Sequence, residues 1–100
     1  MDVIAYLIGY AITYDDYKQE IKTETRSMVY GKKESISRAE FYSAGQSGLN
    51  PDFRLTVAVI DYNGETELEL DGIRYGIYRT YNVNADYIEL YCEKKGGLQP

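Results

Sequence analysis

Between Ile60 and Tyr78 the chain carries two dipeptides suited to tight β-turns, Asn63-Gly64 and Asp71-Gly72, and their spacing constrains the fold more than any other feature. Two-residue hairpin loops favour residues that tolerate positive φ at adjacent positions, and each such loop leaves one natural register for its flanking strands. The first turn predicts Tyr62 opposite Glu65, Ile60 opposite Glu67 and Val59 opposite Leu68. The second predicts Leu70 opposite Ile73, Glu69 opposite Arg74 and Leu68 opposite Tyr75. Val57, Val59, Leu68, Leu70, Ile73, Tyr75 and Ile77 then share one buried face, with Glu65, Glu67, Glu69 and Arg74 on the other. A slip of one residue in either turn would invert that face.

The rest of the chain extends the same pattern. Residues 2–13 form a nearly continuous apolar strand, with Val3, Ala5, Leu7 and Ala11 on one side and Ile4, Tyr6, Ile8, Tyr10 and Ile12 on the other, so both sides are expected to be covered, one by the barrel and the other by a neighbouring subunit. Residues 14–20 read as a polar loop, and residues 21–30 as an edge strand with a weak apolar face. Gly31-Lys32-Lys33-Glu34-Ser35 reads as a turn; the upstream glycine of a phosphate loop is missing, since Arg26 stands there. Ser37-Arg38-Ala39-Glu40 fits a capping box, and Ile36 with Phe41 a hydrophobic staple, so one short helix should start at Ser37 and end by Gly45. Phe53, Leu55, Val57 and Val59 alternate into the first hairpin, residues 81–86 turn, and a last strand from Tyr87 to Glu93 turns Ile88, Leu90 and Cys92 inward. The expected fold is mainly β: a small antiparallel β-barrel of about six strands with one short α-helix at its end or flank.

A chain of 100 residues suffices for one domain and one core, here placed at residues 1–95 with a flexible tail at 96–100. The apolar stretch from Val3 to Ile12 lacks a basic start and is too short to span a bilayer, so it is read as a strand of a soluble protein with no membrane partner. A single cysteine excludes an intrachain disulfide and fits a reducing cytoplasm. The aromatic residues are 12 Tyr and 2 Phe without Trp, a composition suited to half-buried sheet faces and protein interfaces.

Chemistry is sparse. With no His and one inward Cys, neither a nucleophile nor a general base can be placed, and no enzyme, catalytic residue or cofactor is expected. No metal site is expected either: Asp15 and Asp16 are adjacent and diverge, and Asp61, Asn63 and Glu65 lack the glycine and distal Glu offsets of a calcium loop, which leaves them as part of a hairpin. The formal net charge of −5 argues against a protein that grips a phosphate backbone.

In order, Ser37-Arg38-Ala39-Glu40-Phe41-Tyr42, Ala44, Gly48-Leu49-Asn50-Pro51, Asp61-Tyr62-Asn63-Gly64-Glu65, Tyr75-Gly76-Ile77-Tyr78-Arg79-Thr80-Tyr81 and Ile88-Glu89-Leu90-Tyr91 resemble the head-closure, or head-tail connector, proteins of long-tailed bacteriophages and prophages of Gram-positive bacteria. The resemblance covers the chain from the first strand to Glu93. It implies a structural virion component assembled in the bacterial cytoplasm, in which copies form a ring below the portal and its adaptor protein. The ring closes the channel after DNA packaging and presents a docking surface to the tail completion protein. Genomic DNA would pass without sequence-specific binding, and an acidic ring would repel it.

Within that expectation, Tyr14, Asp15, Asp16 and Tyr17 are candidates for a channel or axial loop. Tyr6, Tyr10, Tyr62, Glu65, Tyr78, Arg79 and Tyr81 are candidates for subunit or tail contacts. The alternative is a monomeric acidic inhibitor that mimics DNA: Glu65, Glu67 and Glu69 would stand about 7 Å apart along a strand, near phosphate spacing. Arg74 opposite Glu69 would offset part of that charge.

Overall fold

The computed structural model describes residues 1–95; the expected tail at 96–100 lies outside them. Six strands form a closed antiparallel barrel: β1 (Asp2–Tyr14), β2 (Glu20–Ser35), β3 (Pro51–Ala58), β4 (Glu67–Leu70), β5 (Ile73–Asn82) and β6 (Tyr87–Lys94). They are arranged around the barrel in the order β1-β2-β3-β6-β5-β4. One helix, α1 (Arg38–Gln46), joins β2 to β3, and a 3-10 turn at Val59–Asp61 follows β3.

Alternation fills the interior as strand geometry requires. Phe53, Leu55 and Val57 from β3, Leu68 and Leu70 from β4, Tyr75 from β5 and Ile88, Leu90 and Cys92 from β6 meet Ala5, Leu7 and Val29 in one core. Phe53 and Tyr75 pack edge to face with ring centroids 4.7 Å apart. Asp71 and Gly72 take φ of 53° and 79°, which sets Leu70 opposite Ile73, Glu69 opposite Arg74 and Leu68 opposite Tyr75, as the turn chemistry predicts. Ile73, at the turn itself, stays 40% exposed instead of joining the core.

The first hairpin does not form. Gly64 takes a φ of 84°, but Asn63 does not enter the left-handed region, and β3 never pairs with β4. The edges of β3 are taken by β2 and β6, while β4 pairs with β5 and β1. The chain therefore leaves β3 through the 3-10 turn, which carries Ile60 into solvent at 86% exposure. Tyr62 folds inward against the core, as does Val59. The segment Asp61-Asn63-Glu65 is thus a barrel-crossing loop.

Other boundaries shift for identifiable reasons. Gly31 to Ser35 is not a turn: β2 continues through it, and Lys32 to Ser35 pair with Thr56 to Phe53. The helix begins as predicted, with Ser37 Oγ accepting from the Glu40 N–H at 3.1 Å, but runs to Gln46. Its end is a Schellman closure: Leu49 N donates to Ala44 O and Gly48 N to Gly45 O, with Gly48 at a φ of 82°. The expected loop at residues 14–20 shrinks to a tip, because β1 and β2 pair without interruption from Asp2↔Lys32 to Tyr14↔Glu20.

That hairpin outreaches the barrel. Only Tyr6, Leu7 and Ile8 of β1 pair with β4, and only Lys32 to Ser35 of β2 pair with β3. Residues beyond those junctions form a two-stranded ribbon on its own. The molecule measures 51 × 36 × 23 Å with a radius of gyration of 15.0 Å, against about 13 Å for a compact chain of this length.

Two predictions test this packing. A Cβ on Gly31 would lie 2.8 Å from two carbons of Leu55 and 3.0 Å from Thr56 O, so Gly31→Ala should destabilise the barrel by about 1–3 kcal/mol in urea unfolding. The Cys92 thiol is fully enclosed and burial pushes its pKa up, so it should react with a thiol reagent only at the rate of barrel opening.

Candidate functional site

The sequence-predicted residues do not converge on one pocket; the structure distributes them over the ribbon, the barrel seam and the helix. Tyr14, Asp15, Asp16 and Tyr17 form the ribbon tip. Asp15 is its internal cap: Oδ1 accepts from the N–H groups of Tyr17 at 2.8 Å and Gln19 at 2.9 Å, while Lys18 closes the turn at a φ of 61°. One carboxylate oxygen is thus committed to the backbone. Tyr14, Asp16 and Tyr17 project into solvent.

Tyr6, at the barrel junction, and Tyr10, on the ribbon, share the outer face of the β1–β2 hairpin, half exposed, each under a cation. Arg26 stands 4.9 Å from the Tyr6 ring centroid and Lys22 stands 4.4 Å from that of Tyr10. The barrel covers Ala5 and Leu7 on one side of β1, while Ile4, Tyr6, Tyr10 and Ile12, on the side expected to meet a neighbouring subunit, are exposed in the single chain. Ile8 is the exception, fully buried although it faces outward between Tyr6 and Tyr10. Its direct cross-strand neighbours are Arg26 and Glu67, two members of an ionic seam.

The seam spans the joint between β1 and β4. Arg26 binds Glu69 through two hydrogen bonds of 2.9 and 3.2 Å. Arg74 reaches Glu67 at 2.9 Å and Glu24 at 3.4 Å, and Lys95 Nζ lies 2.9 Å from Glu67. Burial alone would raise the Glu67 pKa, but hydrogen bonds from Lys95 and Arg74 outweigh it and hold the carboxyl below its ordinary value. Glu69 is likewise lowered, chiefly by its hydrogen bond to Arg26. The carboxylate column expected on this face is therefore mostly neutralised. Arg74 is opposite Glu69 in register, yet its bonds go to Glu67 and Glu24.

Tyr62 and Glu65 belong to the loop that crosses the barrel end, and neither is a free surface group. The Tyr62 hydroxyl donates to Glu65 O at 2.8 Å, and Glu65 Oε1 accepts from Asn63 N at 2.8 Å. A Cβ on Gly9 would come within 3.3 Å of Glu65 Cγ, so Gly9 gives the loop room against the ribbon base.

Tyr78 and Arg79 hold the helix. A bulge between Ile77 and Arg79 sets both residues toward one carboxylate, Glu40. Tyr78 Oη donates to Glu40 Oε2 at 2.8 Å, Arg79 Nε donates to the same oxygen at 3.1 Å, and a guanidinium NH2 group of Arg79 donates to Oε1. The Arg79 guanidinium lies 3.9 Å over the Tyr91 ring, leaving this outward-facing tyrosine only 6% exposed. Glu40 therefore clamps α1 to the barrel wall and does not complete the reciprocal half of a capping box. Tyr81 stands exposed near the end of β5, paired in register with Glu89.

Sequence reasoning missed Ile21, Met28 and Tyr30 as surface residues. With Ile4, Tyr6, Tyr10 and Ile12 they leave large apolar side chains exposed along both strands of the β1–β2 hairpin. The available signal was the uninterrupted alternation of both strands without Gly or Pro between Tyr10 and Tyr30. A groove of about 640 Å³ opens where β2 leaves β3, between Tyr30-Gly31 and Thr56-Val57-Ala58. Compared with known proteins, the chain matches no family model and no curated sequence.

The clamp gives a pH test with a defined sign. Hydrogen bonds from Arg79 and then Tyr78 hold the Glu40 carboxyl below its ordinary value of 4.5, burial opposing them. A lowered folded pKa contributes stability above the unfolded value and loses it as pH falls through the depressed one. Glu40→Gln should cost about 1 kcal/mol at neutral pH, discounted because the Arg79 side chain is 43% exposed. The same variant should lose the part of the acid dependence below pH 4.5 that belongs to this carboxylate, read by thermal unfolding across pH.

Proposed function

We propose that this chain is a non-enzymatic structural subunit of a phage head-tail connector, working as a ring that closes the portal channel after packaging and receives the tail. The observation that carries this reading is the ribbon: a bulge-free hairpin that leaves the barrel and exposes Tyr10, Ile12, Tyr14, Tyr17 and Ile21. A two-stranded ribbon is marginal in water by itself, and apolar residues on both of its strands call for protein contacts. The resemblance of the sequence to head-closure proteins supplies the setting for those contacts: other copies around the ring, a portal-side adaptor above and a tail completion protein below.

Charge supports the same reading. At −5 per chain, a ring would carry a strongly negative field along the path of the genome and keep the duplex from adhering. A DNA-mimicking inhibitor needs free carboxylates in a row, whereas Glu67 and Glu69 are each held by Arg or Lys. On this reading the protein assembles in the bacterial cytoplasm and resides in the virion connector. The tip residues Tyr14, Asp16 and Tyr17 face the axis or a stacked neighbour, while Asp15 shapes the turn that presents them.

Negative-stain imaging of the protein mixed with portal-adaptor complexes should show one added ring layer. Complexes of unchanged height would defeat the proposal. In phage carrying Asp16→Lys, with the Asp15 cap left intact, DNA release should slow without loss of monomer stability; unchanged infectivity removes the tip from the channel.

A further inference from the structure

Both long edges of the ribbon are open. Beyond Ile8, β1 has no strand on its outer side, and before Lys32, β2 has none. Two bonds fix which backbone groups lie there. Lys33 N donates to Met1 O at 2.7 Å at one end of the hairpin, and Asp15 N donates to Gln19 O at 3.1 Å at the other. Both pairs set an odd-numbered residue against an odd-numbered one, and bonded and non-bonded pairs alternate along an antiparallel ladder. The even-numbered residues therefore turn their N–H and C=O groups outward. On β1 these are Tyr10, Ile12 and Tyr14; on β2 they include Glu20, Lys22, Glu24 and Arg26.

The β1 edge carries few of the devices that keep a lone strand from pairing, whereas Glu20, Lys22, Glu24 and Arg26 place charge of both signs along the β2 edge. Exposed edges are ordinarily blunted by bulges, proline, inward-pointing charges or charged side chains along the edge itself. The ladder here runs from Asp2↔Lys32 to Tyr14↔Glu20 without a register shift. The ribbon contains no Pro, and the side continuing the barrel interior carries Gly9, Ala11, Thr13, Ile21, Thr23, Thr25 and Ser27, none of them charged.

We propose that copies of this chain join ribbon to ribbon, the open β1 edge of one pairing antiparallel with the open β2 edge of the next. The inference rests on the ring-subunit reading and names its contact. Geometry favours a second copy as occupant. Neighbours related by rotation about an axis along the ribbon keep the same up-down polarity, so β1 meets the next β2 antiparallel and the alternation continues around the ring. Pairing β1 with β1 across a two-fold axis would leave every β2 edge bare, whereas head-to-tail pairing satisfies both edges of every copy. Charge agrees: residues 9–14 of β1 carry none, so Lys22, Glu24 and Arg26 of an incoming β2 meet no like charge there. They meet Tyr10, which already accepts Lys22 over its ring within one chain.

Proline at an outward-facing edge position removes one intermolecular donor and leaves the intrachain ladder intact. Ile12→Pro blocks the β1 edge and Lys22→Pro blocks the β2 edge. In sedimentation velocity the wild type should associate with rising concentration, each variant alone should remain monomeric, and an equimolar mixture should stop at a one-to-one dimer, because one open edge of each kind remains. In parallel, amide exchange of the wild type should show the Ile12 and Lys22 N–H groups gaining about tenfold or more protection on concentration, a readout that needs no variant. A wild type that stays monomeric, variants that self-associate like the parent, or oligomers whose Ile12 and Lys22 amides still exchange freely would each overturn the ribbon contact. A missing layer on portal complexes defeats the ring reading instead, so the two failures are distinguishable.

Discussion

The barrel closes on three residue pairs. Tyr6, Leu7 and Ile8 against Glu69, Leu68 and Glu67 are the whole ladder between β1 and β4, whereas β3 and β6 share seven pairs. Leu7 and Leu68 are fully buried within the seam and belong to the core, so closure is driven from inside by apolar burial. Outside, Ile8 is sealed beside the ionic seam, where Arg26 grips Glu69 and Arg74 bridges Glu67 to Glu24. These side chains connect β2, β4 and β5 across the shortest joint in the sheet. Lengthening the joint would require β4 to extend along the ribbon, and the tight Asp71-Gly72 turn at one end and the crossing loop at the other keep it to four residues.

Local chemistry was legible in the sequence wherever it was decided locally. The Asp71-Gly72 hairpin, the Ser37 cap and the alternation of β3 and β6 follow from dihedral preference, a side-chain acceptor and a period of two, and each stands where residue types place it. Asn63-Gly64 carries the same turn signal, but hairpin formation needs its flanking strands to be neighbours in the sheet. The non-local pairings of β3 with β2 and β6 fill both of its edges, so the segment crosses the barrel end and Tyr62 is recruited to the core. Much of the predicted buried face survives the wrong pairing: alternation within each strand is enough to turn Val57, Leu68, Leu70 and Tyr75 inward.

The candidate site was legible in composition and less so in place. Its tyrosines stood out, but a single role for them did not follow. Tyr62 closes the core end, Tyr78 hydrogen-bonds Glu40, and Tyr6 and Tyr10 lie under cations on the outer face of the β1–β2 hairpin. The bulge beside Tyr78 decides its partner, and a bulge depends on the opposing strand rather than on the residue. The ribbon itself reads in sequence as a strand, a loop and a weak strand because β2, Ile21 apart, loses its inward apolar residues before Val29. That loss marks where the barrel ends, and the strand continues beyond it.

A boundary between two kinds of β-structure follows. Up to the pairs Ile8↔Arg26 and Ile8↔Glu67, hydrophobic burial on the inner face and ion pairs on the outer face fix the sheet from both sides. Beyond Tyr10↔Glu24 the inner face turns to Ala11, Thr13, Thr23 and Ile21, with nothing packed across from it, and the hydrogen-bond ladder and the Asp15 turn hold the strands together. Such a segment has few buried contacts per backbone bond and opens at lower free energy than the barrel. Docking against another protein surface would supply the missing burial, so the ribbon can gain order on binding while the barrel, already closed, remains unchanged. On the proposed ring reading, a closed barrel carrying an adaptable arm would keep its own fold, and variation in angle between neighbours would fall on the segment whose conformation costs least to adjust.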